Sequence, residues 1–271
     1  MQDYKIIFID IDGTLRNNKK EVTPYTSQII KQAVEAGFII VICSARYRQY
    51  TIDVSKKANA SPFIISSNGA DIYNYKTNTT IFNKNINPEI IKKLYDIVIK
   101  HDAFIGLDTD GDRYVNIIRH PEREVIIDNL DRILNTYKIT QCVLHSPDSE
   151  KVRSMINEVK NLNEPQIEIK NTTKYLTEPI GTPPPNFFCD VGNSQTTKGT
   201  GIKILLDYLN IPKEQSIAIG DGLNDLLMFN SVGHKVAMGN SISQVLNEAD
   251  EITLSNEEDG VAKYIEKLIN K

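Results

Sequence analysis

Short unbroken apolar runs alternate with helix-period stretches at both ends of this chain. Ile6-Ile7-Phe8-Ile9 is apolar throughout and stops at Asp10, the pattern of a strand buried on both faces. Ile29, Ile30, Ala33 and Val34 form one stripe over about Thr26 to Ala36, which predicts a helix stopped at Gly37. Phe38 to Cys43 predicts a second buried strand, followed by a polar helix from about Arg46 and a third strand over Phe63 to Ser66. Strand, helix, strand, helix, strand is the order of a parallel sheet with helices on its faces. The far end repeats it. Ile202, Leu205, Leu206 and Leu209 have core-facing helical spacing, with Pro212 just beyond. A strand over Ser216 to Ile219, a Gly-Asp-Gly turn, a helix and a strand near Lys235 to Ala237 follow. Val261, Tyr264, Ile265, Leu268 and Ile269 then mark the face of a last helix.

The middle reads differently. Asp71–Tyr75 and Thr79–Asn83 predict a β-hairpin around Lys76-Thr77-Asn78. Beyond Pro88 come a helix (Ile90, Ile91, Leu94, Val98) and strands near Phe104–Leu107, Tyr114–Ile118 and Ile139–Leu144. A helix carrying Val152, Met155, Ile156 and Val159 follows. Polar and proline-rich stretches flank this α+β portion, Asn83 to Pro88 on one side and Gly181-Thr182-Pro183-Pro184-Pro185 on the other, as linkers do. The expected organisation is an α/β core domain with a Rossmann-like parallel sheet, residues 1–83 and 186–271, split by a second domain over residues 84–185.

Composition narrows the class of partner. The 271 residues carry 31 basic and 35 acidic side chains, a formal charge of −4, so no basic footprint for nucleic acid or an anionic membrane is expected. The longest apolar run, Phe38 to Cys43, falls far short of the roughly 18 residues of a membrane span. Cys43, Cys142 and Cys189 are far apart with no CxxC, which fits a reducing compartment and excludes a disulfide scaffold. With no signal peptide ahead of Ile6, a cytoplasmic location is expected.

The candidate chemistry gathers at predicted strand ends. Asp10-Ile11-Asp12-Gly13-Thr14-Leu15 follows the first strand, and open α/β sheets bind ligands beyond the carboxyl ends of their strands. Two carboxylates there suit a nucleophile and a proton carrier. An isolated DxDG is also an ordinary surface turn. A calcium loop fails, because Leu15 stands where such a loop needs Gly and a strand precedes it. Gly220-Asp221-Gly222-Leu223-Asn224-Asp225 repeats the logic after another strand, although alone it could be a turn with a helix cap. Asp10, Asp12, Asp221 and Asp225 on one sheet edge would repel one another by about 4 kcal/mol per close pair at an effective dielectric of 20. Mg²⁺, which takes carboxylate, water and phosphate oxygens, answers that repulsion.

Cys43-Ser44-Ala45-Arg46 is expected to end the second strand and open a helix, placing the Ser44 hydroxyl and backbone N–H groups as an anion site; a plain N-cap is the simpler role. Lys198 opens a further helix, where a cation opposes the dipole and an anionic ligand would account for it. A P-loop is excluded by Thr197 in the position of the second Gly. Asp108-Thr109-Asp110-Gly111-Asp112 repeats the DxDG look in the middle portion and is expected to be a hairpin turn.

These four segments resemble the signature motifs of the haloacid dehalogenase superfamily, and their order and spacing resemble its Cof-type phosphatases. DxDGT matches Asp10 to Thr14, the Thr or Ser at a strand end matches Ser44, the lysine matches Lys198, and GDGxND matches Gly220 to Asp225. Asn68-Gly69-Ala70 also resembles a segment of that branch. The usual Thr-Gly-Arg reads Ser44-Ala45-Arg46 here. More than 150 residues separate Ser44 from Lys198, the interval in which the branch carries an α/β cap. The resemblance implies a Mg²⁺-dependent phosphatase acting on a small phosphorylated metabolite such as a sugar phosphate. Asp10 would be the nucleophile that forms an aspartyl-phosphate, and Asp12 the acid and base. Asp10, the Asp12 backbone carbonyl and Asp221 would hold Mg²⁺, with Asp225 supporting. Ser44, the Ala45 N–H, Lys198 and Asn224 would grip phosphate. Two other readings stay open: a phosphomutase of the same superfamily, and a non-catalytic module that binds a phosphometabolite.

Overall fold

The structure, a computed structural model, describes residues 4–172 and 186–270. The chain divides into two compact units, Met1–Phe82 with Thr197–Lys271, and Asn83–Thr196.

The first unit begins with β1 (Ile6–Ile9), all four residues fully buried, then α1 (Pro24–Glu35), β2 (Ile39–Cys43), α2 (Arg48–Lys57) and β3 (Phe63–Ser66). Pro24 opens α1, and the Thr23 side chain caps it by accepting from the Thr26 N–H, a favourable start because proline lacks the N–H that would have no helical partner in the first turn. The hairpin strands β4 (Asp71–Asn74) and β5 (Thr79–Asn83) complete this stretch.

The second unit contains α3 (Pro88–Lys100), β6 (Phe104–Thr109), β7 (Arg113–Val115), β8 (Glu124–Ile126), α4 (Leu130–Thr136), β9 (Ile139–Ser146), α5 (Ser149–Asn161), β10 (Ile167–Thr172) and β11 (Phe187–Asn193). Its sheet runs β10-β11-β9-β6-β7-β8. Ile105, Leu107, Cys142, Leu144, Cys189 and Val191 point to one face, where they pack with α3 and α5. Asp110–Asp112 is the turn between antiparallel β6 and β7, Asp108 and Thr109 being the last residues of β6, and the Asp108 carboxylate is held by Arg113 at 2.6 Å.

The expected boundary at residues 185 and 186 is corrected. β11 pairs with β9 and β10, so its Phe187, Cys189 and Val191 belong to the second core and the unit extends to Thr196. The Gly181–Pro185 linker lies outside the described residues.

The chain re-enters the first unit with α6 (Lys198–Leu209), β12 (Ser216–Gly220), α7 (Leu226–Phe229), β13 (His234–Ala237), α8 (Ser243–Glu248), β14 (Glu251–Ile252) and α9 (Gly260–Ile269). The eight-stranded sheet is ordered β14-β13-β12-β1-β2-β3-β4-β5. It is parallel from β14 to β3, and β4 returns antiparallel. Side chains alternate between two cores, as the period-2 strand geometry requires. Ile7, Ile9, Ile40, Ile42, Ile217 and Ile219 pack with α1 and α9. Ile6, Phe8, Val41 and Ala218 pack with α6 and α7. Neighbours β12 and β2 flank β1 and are reached through opposite directions of the chain, which makes the carboxyl end of β1 the switch point where such sheets bind ligands. Among the described residues no helix is long and apolar enough to cross a membrane. Cys43, Cys142 and Cys189 are free and buried.

Candidate active site

Asp10 follows β1 immediately, and its N–H donates to the Ile219 carbonyl of β12. The chain then turns sharply. Gly13 has φ +86°, and a Cβ there would run into the Asp221 carboxylate, so the turn takes the residue that tolerates this conformation and leaves that space open. Thr14 Oγ1 donates to Asp221 Oδ1 at 2.8 Å, tying the first loop to the one after β12.

The loop after β12 builds the rest of the cluster. Asp225 Oδ2 accepts the N–H groups of Asp221 and Gly222, each at 3.0 Å, and its Oδ1 accepts Lys198 Nζ at 2.8 Å. Lys198 is the first residue of α6, capped by the reciprocal Thr197–Thr200 pair. Its ammonium also donates to Asp10 Oδ1, and the side chain is only 1% exposed. One oxygen from each of Asp10, Asp221 and Asp225 lies within 4.8 Å of the other two.

The charge balance of this cluster is short of cations. Burial, together with the charges of Asp225 and Asp221, pushes Asp10 up to about 8 in spite of Lys198. Burial and Asp225 likewise push Asp221 up to about 6. Burial lowers the Lys198 pKa, but Asp10 and Asp225 outweigh it and hold the ammonium protonated. Three carboxylates around one ammonium, two of them resisting ionisation, form an all-oxygen donor set that fits a hard divalent cation such as Mg²⁺.

Asp12 stands apart from that cluster. Its carboxylate accepts Arg16 Nη2 on Oδ1 at 2.8 Å and Arg46 Nε on Oδ2 at 2.9 Å. Burial raises its pKa, but Arg46 and Arg16 together carry it below the ordinary carboxylate value. Arg46 thus pairs with a carboxylate.

Ser44 ends β2 as expected, but the helix does not open there. It begins at Arg48, with Tyr47 as an N-cap whose side chain makes no capping bond. The Ser44 hydroxyl instead accepts the Arg46 N–H at 3.1 Å, a local serine turn of the kind that competes with helix formation. Ala45 lies inside this turn. Asn224 lies on a single 3₁₀ turn, Leu223–Asp225, rather than at the start of a longer helix. A left-handed turn braces Ser44 and Lys198. Ser67, Asn68 and Gly69 have φ of 47°, 53° and 85°. The Ser67 and Asn68 N–H groups donate to the Arg46 and Ser44 carbonyls, and a Cβ on Gly69 would overlap the Thr197 carbonyl.

An acidic cluster with a buried lysine thus lies at the switch point of the sheet. Residues 7–265 match the haloacid dehalogenase-like hydrolases, and the chain belongs to that family. A putative phosphatase of Bacillus subtilis, YxeH, is 28% identical over 98% of both chains. The 5-amino-6-(5-phospho-D-ribitylamino)uracil phosphatase YitU of the same organism is 27% identical, over 98% of this chain and 97% of its own. A crystal structure of a haloacid dehalogenase-like hydrolase from Bacteroides thetaiotaomicron superposes with a TM-score of 0.85 at 25% identity, covering 98% of this chain and 99% of the other. This chain is accordingly a hydrolase of the phosphatase kind, acting on phosphoric monoesters.

Proposed function

We propose that the protein is a Mg²⁺-dependent phosphatase of a small phosphorylated metabolite, working through an aspartyl-phosphate on Asp10. The observation that carries this is the convergence of Asp10, Asp221, Asp225 and Lys198 at the carboxyl end of β1. A relative named for a phosphorylated ribityl compound supports a sugar-like monoester as substrate.

Asp10 and Asp221 would hold Mg²⁺ together with the Asp12 carbonyl, while Asp225 orients Lys198 and the loop amides. When bound, the ion supplies positive charge that favours the ionised Asp10 and offsets the charge of the phosphate. Lys198, Ser44, the Ala45 N–H and Asn224 would bind the phosphoryl oxygens. An Asp10 oxygen attacks phosphorus as the ester P–O bond breaks, and Asp12, once it has taken a proton from solvent on Oδ2 with the exposed Arg46 displaced, gives that proton to the leaving oxygen. Water then attacks phosphorus, Asp12 takes the water proton, and the Asp10–phosphorus bond breaks to release inorganic phosphate.

The test is release of inorganic phosphate from 4-nitrophenyl phosphate and a panel of sugar phosphates, with Mg²⁺ and with EDTA. Asp10→Asn should fold normally, as judged by circular dichroism, and lose at least about 10³-fold in kcat, because a nucleophile cannot be replaced by its neighbours. Retained turnover in Asp10→Asn would remove the covalent route. Appearance of an isomeric sugar phosphate without free phosphate would favour the mutase instead.

A further inference from the structure

The loop that carries Asp12 doubles back on itself. Leu15 N–H donates to the Asp10 carbonyl and Arg16 N–H to the Ile11 carbonyl, and Asp12 and Arg16 form an isolated bridge. Two side chains from distant loops pin this path. Asn240 Nδ2 donates to the Gly13 carbonyl at 2.8 Å, and Asn256 Nδ2 to the Arg16 carbonyl at 2.9 Å. Arg16 is thereby folded over Asp12 with only 7% of its surface exposed. Its Nη1 donates to the Tyr50 hydroxyl, and its guanidinium lies 5.6 Å from the Tyr50 ring centroid. The Arg46 guanidinium lies 5.5 Å from the same ring, but its side chain is 47% exposed.

The two oxygens of Asp12 are therefore held unequally. A buried guanidinium fixes Oδ1, and releasing that bond would leave a charge uncompensated away from water. An exposed guanidinium holds Oδ2, and a bond of that kind contributes little and is readily exchanged with solvent. We infer that Arg16 is a positioning residue for the reaction: it anchors Asp12 Oδ1 so that Oδ2 is the oxygen that exchanges a proton with the leaving group and with water. Tyr50 acts behind it by fixing the guanidinium plane. This inference rests on the phosphatase reading above.

The expected signature is a loss that depends on the leaving group. A nitrophenolate departs without a proton, whereas an alkoxide needs one. In Arg16→Met, kcat/KM for the alkyl phosphate that the unsubstituted protein turns over fastest should fall about 100-fold, the scale of a displaced catalytic group. For 4-nitrophenyl phosphate the fall in kcat/KM, which covers the steps up to departure of the leaving group and not the hydrolysis shared by both esters, should be about 5-fold or less, because only acid assistance enters it. Tyr50→Phe, which keeps the ring and removes only the hydroxyl, should show the same selectivity at about 5- to 10-fold, and it carries the test should Arg16→Met not fold. Equal losses on both esters, or none on the alkyl ester, would overturn the role of Arg16. A protein without those substitutions that releases phosphate from neither ester in the presence of Mg²⁺ would instead overturn the phosphatase reading.

Discussion

Binding of Mg²⁺ to this cluster should expel protons, and the number can be worked from the two raised carboxyls. With Asp10 at about 8 and Asp221 at about 6, about nine-tenths of Asp10 and about one-tenth of Asp221 carry a proton at pH 7 in the metal-free protein. An ion that requires both groups ionised therefore releases about one proton at pH 7, about two at pH 5 and about a tenth at pH 9. Affinity should rise about tenfold per pH unit near neutrality and level off above pH 9. Calorimetry of Mg²⁺ binding at pH 7 in two buffers of different ionisation enthalpy reads the released proton directly. Identical heats in the two buffers would refute the reasoning. Stability without metal follows the same sign. Both groups are raised in the folded state, so their contribution is fully present below about pH 4 and is lost as pH rises through about 6 and then about 8. In EDTA, unfolding free energy should fall by about 1.4 kcal/mol per pH unit for each proton involved, and saturating Mg²⁺ should flatten that slope.

Two substitutions probe the scaffold. Gly69→Ala places a methyl on the Thr197 carbonyl in a positive-φ turn, so urea unfolding should show a loss of about 2–3 kcal/mol. Because the displaced segment carries Lys198, kcat should fall as well, and unchanged stability would show that the turn does not brace α6. Asp71→Ala strips the buried Arg48 of its paired carboxylate, which should cost about 3–5 kcal/mol in urea unfolding. Its kcat per folded molecule should stay within about threefold of the original, since this pair fastens α2 to β4 rather than touching the acidic cluster.

The parallel core was legible because its strands are buried on both faces. Runs such as Ile6–Ile9 and Phe63–Ser66 have one structural reading at that length, and they end where the chemistry begins. Half-buried strands carry a weaker mark. In β10 and β11 the inward residues Ile167 and Ile169, and Phe187, Cys189 and Val191, alternate with outward ones. That period of two was the available signal for extending the second unit past the prolines. The strands β8 and β14, three and two residues long, are too short to leave a periodic pattern. The DxDGT and GDGxND segments located the acidic residues, but not their division of labour. Sequence spacing brings Asp12 and Arg16 together only if the loop closes as a turn, and the burial of Arg16 depends on Tyr50, Asn240 and Asn256 from elsewhere in the chain. Thr14 and Tyr50 likewise gain their parts through tertiary contacts. The helix expected from about Arg46 starts at Arg48 because the Ser44 hydroxyl captures the Arg46 N–H first, a local competition that pattern reading does not resolve.

The placement of the three thiols gives the molecule a built-in pair of reporters. Cys43 lies in the first core beside the acidic cluster, while Cys142 and Cys189 lie in the second. Burial holds all three far from the reactive thiolate form, so an alkylating reagent labels each one only when its own unit opens. The rate at which Cys43 is tagged thus clocks the breathing of the catalytic half, and the other two keep separate time for the inserted half, with no label to engineer.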